Sequence, residues 1–583
     1  MKRENKRRKI NIMKSILEKV KKILKNTLTK VIFINLIVFI LSNIVFGIKY
    51  EEVDDFIIYN LYSGLDGTYN IHGVYIHSVL CFIISLLYRI LPMINWHTIF
   101  LLCMQFICFT IIGNILLKKN ENKFSYILYI LFVSVFYTIL LQLIQYTSIA
   151  ALLILTSFFA MMDGIEKEEK KKRYIILTMV LFTIGIMLRM QSLLIVAPFY
   201  AIYLCYNYIL KIKNKVEKQK ILNICKQYLI LGIITILVYG SNYLIYNTND
   251  LYKEYTQYNE IRTMLHDLSF ILYDTNKEIF EEIGWSRNDY ALFYRFNFGD
   301  ENVYSKENLQ KIINYKNDKK EYLRLNLNIK KIINIFKGQT IYINSFIVVI
   351  FMLATIIAIY TNKSKRGYII SIFLATIFIN VLFIILNRSI QRVVIPEYII
   401  GTMMMLYLTH YKEKKKQYNN TTKLIVYLVL VLILISTNIL VAKNYNKGYK
   451  IDEYKDYKEL INYTNSNKQN AYLYTVDLFR GFYLAYSVYE MPPKNSFSNL
   501  RVMGGWDMFT ENYYDFKERY NLDGIFLDLL KENVYLVDRD NKSKEEDLFE
   551  GTILFLKENY NKEVTYEQIQ KFGEINIYKI KEK

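Results

Sequence analysis

Four carboxylates stand within five residues at Glu51-Glu52-Val53-Asp54-Asp55, directly after the first long apolar run. A carboxylate gains nothing from apolar surroundings, so acidic residues at a membrane boundary point to function. Asp54 and Asp55 have the chemistry of a catalytic pair. One carboxylate can act as general base, taking the proton of an acceptor hydroxyl or amine. Two together can also hold a divalent metal such as Mg²⁺ or Mn²⁺. A structural reading stands beside this: Asp54 can cap a short helix over Phe56–Tyr62, where the positive helix end favours an acid. Asp55, Glu51 and Glu52 exceed what one cap needs.

The second set is basic and polar. Arg388 and Arg392 lie in a short link, Asn387-Arg388-Ser389-Ile390-Gln391-Arg392, and Arg189 with Gln191 follows the run Tyr174–Leu188. Arg262 sits in the long polar stretch 247–340, and His72 follows the Gly-rich run Ser63-Gly64-Leu65-Asp66-Gly67. Gln142, Gln145 and Tyr146 close another run. A guanidinium presents a fork of donors that matches phosphate oxygens and stabilises charge on a leaving phosphate. His72, Arg189, Gln191, Arg262, Arg388 and Arg392 are therefore the candidate substrate and phosphate ligands. P-loop, dinucleotide, HExxH and nucleophile-elbow patterns have no usable context here, which disfavours ATP-driven transport by this chain alone.

The elements that must position these residues are apolar. The chain has 583 residues, 53% of them hydrophobic. Runs near the length of a bilayer span recur at Val31–Ile48, Val74–Leu91, Trp96–Leu117, Phe124–Leu143, Thr147–Met162, Tyr174–Leu188, Leu193–Leu210, Tyr228–Tyr246, Ile341–Tyr360, Tyr368–Leu386, Ile395–Tyr411 and Leu424–Val441. The formal charge of +21 gathers in short links between runs. That is the pattern of a multi-pass membrane protein with basic cytoplasmic loops, and nucleic acid is not the implied partner. The five cysteines lie in or beside apolar runs without a CxxC pair and read as buried hydrophobes. Residues 1–30 form a basic cytoplasmic N-terminus with helical spacing of apolar residues, suited to the inner leaflet.

Parity decides which residues share a side. If every run crosses, the basic links at Lys118-Lys119, Lys170–Arg173, Lys211–Lys226, Lys363–Arg366 and Lys412–Lys416 fall outside. If Val74–Leu91 lies along the outer face, all five move inside together. That run carries His77 and Arg89 and leaves little chain between Pro92 and Trp96 for a reversal. The expected fold is an α-helical multi-pass membrane protein of about eleven spans with one interfacial helix. Residues 31–442 form its transmembrane module, with outer loops at 49–95 and 247–340. The longer loop starts a helix at Ser286 and is a candidate lid. Residues 443–583 read as a small extracytoplasmic α/β domain. Its expected strands are Ala471–Thr475, Asn499–Met503, Val534–Val537 and Ile575–Ile580, and its expected helices are Leu478–Tyr486, Asn512–Tyr520, Asp523–Leu530 and Glu546–Tyr560. Gly504-Gly505-Trp506 is a tight turn whose indole either stacks on a sugar or is buried.

A first span, an outer loop opening on paired acids at Asp54-Asp55, a surface helix and a many-span bundle resemble the GT-C superfamily of membrane glycosyltransferases. The resemblance runs over Val31 to Tyr411 in organisation. It departs at His72-Gly73-Val74-Tyr75, where many members carry proline. It implies a polyprenyl-phosphate sugar donor, a cell-envelope glycan or glycolipid acceptor, and Asp54 or Asp55 as base or metal contact. The rival readings are a non-enzymatic transporter or flippase of envelope lipid intermediates, and a glycan polymerase or ligase built around the outer arginines. The spans are poor in charge, with Gln105, Asn114 and Asn380 as mild polar residues and Glu397 toward an outer end, which favours a scaffold over a transport path.

The side assignment is checked by labelling. In a cysteine-free background in intact cells, Lys118→Cys should resist a membrane-impermeant maleimide and react only after permeabilisation.

Overall fold

Asn26 opens the first long helix, Thr27–Phe46: its side chain accepts from Leu28 N. No Gly or Pro interrupts the run until Gly47, whose φ of +71° ends it. In the computed structural model of the chain, residues 26–51, 54–166, 171–207, 218–268, 271–319, 328–342, 345–386, 388–409, 454–540 and 547–583 are described. The amphipathic N-terminal segment before residue 26, the run Leu424–Val441 and the link Lys412–Lys416 lie outside them.

Seven stretches among the described residues are long and apolar enough to cross a membrane: Thr27–Phe46, Trp96–Lys119, Lys123–Gln142, Tyr146–Gly164, Lys172–Tyr206, Cys225–Asn247 and Lys363–Ile385. The Lys172–Tyr206 stretch is broken by a 3-10 turn at Met190–Ser192, after Arg189 takes an extended conformation. Its two parts finish at opposite ends of the bundle, Arg189 against Tyr146 and Tyr206 stacked on Tyr368. Ser345–Thr361 and Gln391–Leu408 are shorter helices packed in the same bundle.

The ends of the bundle sort by charge. At one end Lys30 pairs with Glu121, Asn120 donates to Thr409 O (2.7 Å), Asn362 donates to Leu408 O (2.9 Å) and Lys119 lies over Tyr407. Those contacts gather the described basic links around residues 118–123 and 363–366. At the other end Arg392 pairs with Asp54, Tyr146 N donates to Asp55 and Arg189 covers Tyr75.

The helix Ser78–Ile90 is not among these spans. Its 13 residues reach only about 20 Å, short of the roughly 30 Å hydrocarbon core. Both its ends stay at the Asp54 end. Before it, His77 N donates to Met187 O and His77 Nε2 donates to Val238 O. After it, Asn95 donates to Tyr50 and Ile94 bridges to Glu490 of the C-terminal domain. Leu80, Cys81, Ile84 and Tyr88 face inward, while Val79, Phe82, Ile83, Leu86 and Ile90 form an exposed apolar stripe.

Above this end the long loop and the C-terminal segment build one cap. Helix Asp250–Thr263 continues into a π-turn at Met264–Leu268, and Arg287–Tyr294 starts on a capping box between Ser286 and Asp289. The C-terminal sheet holds β1 (Ala471–Tyr474), β2 (Leu500–Val502), β3 (Val534–Arg539), β4 (Val564–Phe572) and β5 (Ile575–Glu582), in the order β2-β1-β3-β5-β4. Strands β1, β2 and β3 are parallel; β5 and β4 close the sheet antiparallel. The sheet matches the four expected strands and adds β4. Asp523–Leu530, expected as a helix, makes only a 3-10 turn at Leu527–Leu530. The loop packs on this domain through Asn288 to Gly551 O and Ser286 to Glu558. The loop after the first span docks on it too: Thr68 donates to Asp515, Asn70 to Asn512 and Asn512 to Asp66. Gly67, at φ +92°, turns where a Cβ would sit 2.8 Å from the Arg519 guanidinium.

Gly504 is the closest contact between loop and domain. A Cβ there would fall 1.8 Å from Phe296 O and 2.7 Å from Asn297 Cα, both backbone. Gly504→Ala should therefore cost about 1–3 kcal/mol, read as a lower unfolding midpoint of the protein in nanodiscs.

Candidate functional site

Asp54 is the first residue of the helix Asp54–Ser63 and Asp55 the second. Successive helical residues point about 100° apart, and the two carboxylates part company. Asp55 is fully buried: His97 Nε2 donates to its Oδ1 at 2.8 Å, Tyr146 N donates to the same oxygen at 3.2 Å, and Oδ2 has no partner. His97 Nδ1 in turn accepts from the Tyr62 hydroxyl. Burial pushes the Asp55 carboxyl above its usual range, opposed by His97, the Tyr146 N–H and Arg392. Asp54 faces the other way. Arg392 Nη1 lies 3.2 Å from its Oδ2, and Trp506 Nε1 donates to its Oδ1 at 3.3 Å.

Around Asp54 the chain gathers arginines from three segments. Arg189, at the end of its helix, stacks over Tyr75 at 4.8 Å and donates to the Tyr146 hydroxyl at 3.4 Å. Arg388 sits in the link before Gln391–Leu408. Burial holds its guanidinium below the usual range, Asp267 opposes this, and the like charges of Arg392 and Arg189 add to it. Arg262 is buried and donates to Asn259, Thr263 and Asp267. Burial would raise Asp267, but His266 and Arg262 outweigh it and hold that carboxyl below its usual range. Among the described residues, neither Arg189 nor Arg388 has a carboxylate in ion-pair range. The helices Asp54–Ser63, Tyr146–Glu166 and Gln391–Leu408 all begin here. Their positive ends add to the same potential.

Tyr75 stands at the centre. Burial raises its phenol, Arg262 and Arg189 oppose that, and Asp54 and Asp267 reinforce it. The residue before it, Val74, is held at φ +59°, unusual for a β-branched side chain. Its N–H donates to the Tyr246 hydroxyl.

Of the residues singled out from sequence, Asp54, Arg189, Arg262, Arg388 and Arg392 meet in this cluster. Asp55 turns away from it into the His97 contact. His72 is stacked on Tyr252 at 3.7 Å, with its pKa lowered to about 4 by burial, so it is neutral and packed. Gln191 is exposed on the turn after Arg189. The Trp506 indole is buried against Tyr75, with ring centroids 4.9 Å apart, so it is not an open platform for a sugar. His97, Tyr75 and the bond between Trp506 and Asp54 were missed. His97 sits inside an apolar run, and the other two depend on contacts across more than 400 positions. Among the described residues no group of three His, Cys, Asp or Glu side chains is placed to hold a metal. Asp54 has a guanidinium and an indole N–H among its partners.

No family model matches the chain, and no curated protein matches it. Solved structures similar to the chain include two forms of one protein. The apo form of ArnT from Cupriavidus metallidurans aligns over 93% of this chain and 96% of that one, at 10% identity and a TM-score of 0.42. ArnT from the same organism bound to undecaprenyl phosphate aligns over the same shares, at 10% identity and a TM-score of 0.39.

The divided carboxylates give a clean contrast. Asp55→Ala should strand His97 and the Tyr146 N–H and destabilise the protein by about 1–3 kcal/mol for each group left unpaired, whereas Asp54→Asn, which keeps an oxygen for Trp506 and loses one partly exposed ion pair, should cost about 1 kcal/mol or less. Thermal unfolding in nanodiscs separates the two.

Proposed function

We propose that this protein is a membrane glycosyltransferase. It moves a sugar from a polyprenyl-phosphate donor to a cell-envelope acceptor at the outer face of the plasma membrane. One observation carries the reading: among the described residues, Arg189 and Arg388 sit at the bundle's end without a carboxylate in ion-pair range. Guanidinium groups not taken up by an ion pair, at the level of lipid headgroups, suit a lipid-borne phosphate. The lipid chain would lie against the apolar flank that the exposed stripe of Ser78–Ile90 shares.

In this reading the arginines bind the donor phosphate and stabilise the charge that develops as the sugar–oxygen bond breaks. Arg392 exchanges part of its contact with Asp54 for phosphate oxygens. Asp54 then accepts the proton of the acceptor's attacking group. Asp55 anchors the helix that carries it. Asp54 acts as the base while Arg392 and Trp506 contact its carboxylate. The basic end of the bundle is cytoplasmic, and the cap of long loop and C-terminal domain is extracytoplasmic. The transport reading rests on Glu397, buried in its helix with neither oxygen hydrogen-bonded. This supports transport less well than the arginines support transfer.

Binding decides. The protein in nanodiscs should bind undecaprenyl phosphate and not undecaprenol. Arg388→Ala should weaken the phosphate form by about 10- to 100-fold, the worth of a charged hydrogen bond. Equal affinity for the alcohol and the phosphate would overturn the proposal.

A further inference from the structure

The turn after β2 is one of the places where the C-terminal domain meets the bundle. Trp506 lies there, and three separate segments hold it. The Tyr255 hydroxyl, from the long loop, donates to Trp506 O at 2.6 Å. Tyr75, from the first outer loop, meets its ring at 63°. Within the domain, Arg501 of β2 donates to Asp507 O and to its Oδ2, both at 2.9 Å, which fixes the residue after the indole. Gly505, at φ +105°, gives the turn its direction.

We infer that Trp506 is a positioning residue for Asp54, so that the C-terminal domain supplies part of the reacting site. This rests on the transferase reading above. The two oxygens of Asp54 have different holders: Arg392 takes Oδ2 and the indole N–H takes Oδ1. An indole N–H only donates, so it cannot compete for the acceptor's proton. Arg392 is one of the guanidinium groups that a phosphate recruits. When it is drawn toward the donor, the Trp506 bond still fixes the carboxylate plane. The arrangement separates two duties: arginines bind phosphate, and the indole aims the base. Loss of the indole N–H should therefore impair turnover and spare donor binding.

The experiment uses the full-length protein in nanodiscs, with undecaprenyl phosphate as the binding probe and transfer from a polyprenyl-phosphate sugar as the activity. Trp506→Phe keeps a ring and removes the donor. It should lower kcat about tenfold or more, with donor KM and undecaprenyl phosphate Kd within about twofold of the parent. Trp506→His restores an N–H and should recover much of the loss. Full turnover in Trp506→Phe overturns the inference. So does a loss shared equally by both variants and matched by a fall in unfolding midpoint, since that describes packing alone. Failure of the unaltered protein to bind undecaprenyl phosphate overturns the transferase reading itself, and the positioning role falls with it.

Discussion

The bond between Asp55 and His97 sets the geometry of everything around it. Two neighbours on a helix cannot face the same way, so fixing one aims the other. Burying a carboxylate costs several kcal/mol unless it is paired and hydrogen-bonded. Here His97, backed by Tyr62, and the first N–H of the Tyr146–Glu166 helix meet that cost for Oδ1. The helix Asp54–Ser63 is thereby pinned to two spans. Asp54 is left pointing at the arginines, with Arg392 and Trp506 as its partners.

The arginines raise a second physical question: how Arg189 and Arg388 persist near like charge with no carboxylate in ion-pair range among the described residues. Aromatic faces answer part of it. Arg189 lies over Tyr75 at 4.8 Å and over Tyr146 at 5.8 Å. A ring face attracts a cation without neutralising it. The charge is held and remains available to an incoming anion, which a carboxylate partner would not allow. Arg262 differs: it is buried and saturated by Asn259, Thr263 and Asp267, so its contribution is field more than contact. The π-turn at Met264–Leu268, a form that recurs at functional sites, brings Asp267 round to it.

Much of this plan was legible in the chain itself. Basic links and a single run too tight to reverse were enough to place Asp54 and the arginines together, because charge asymmetry and span length are local properties. The capping box at Ser286 was equally local. What could not be read is contact chosen by the fold. His72 was singled out for its nearness in sequence to Asp55, yet the fold spends it in an aromatic stack with Tyr252. His97 looked like one polar residue in an apolar run, and its partner lies 42 positions earlier. Strand β4 escaped because it is an edge whose side chains are mostly exposed, so it shows no inward alternation. Asp523–Leu530 looked helical, but the segment closes only as a 3-10 turn, with Gly524 N donating to Asp528.

The orientation of the C-terminal sheet ties these observations together. Strands β1, β2 and β3 run parallel, so their carboxyl ends share one edge. In α/β sheets that edge is where loops are free to carry function, since the opposite edge is occupied by incoming connections. Here the loop after β2 turns at Gly504-Gly505 and delivers Trp506 to Asp54. The loop after β1 leads to Asp477, which receives both bonds of Arg295 from the long outer loop. The working edge of the domain is therefore spent on the bundle and on the loop that covers it. A domain attached only for anchoring or spacing would not need to dock by that edge, nor to bury Arg501 and Asp507 against a mostly covered Asp66 at its junction with the loop after the first span. Burial lifts the Asp66 carboxyl to about 6, with Arg501 as the main opposing charge. A joint built on buried charge is costly to open, and it holds the cap in one register over the arginines.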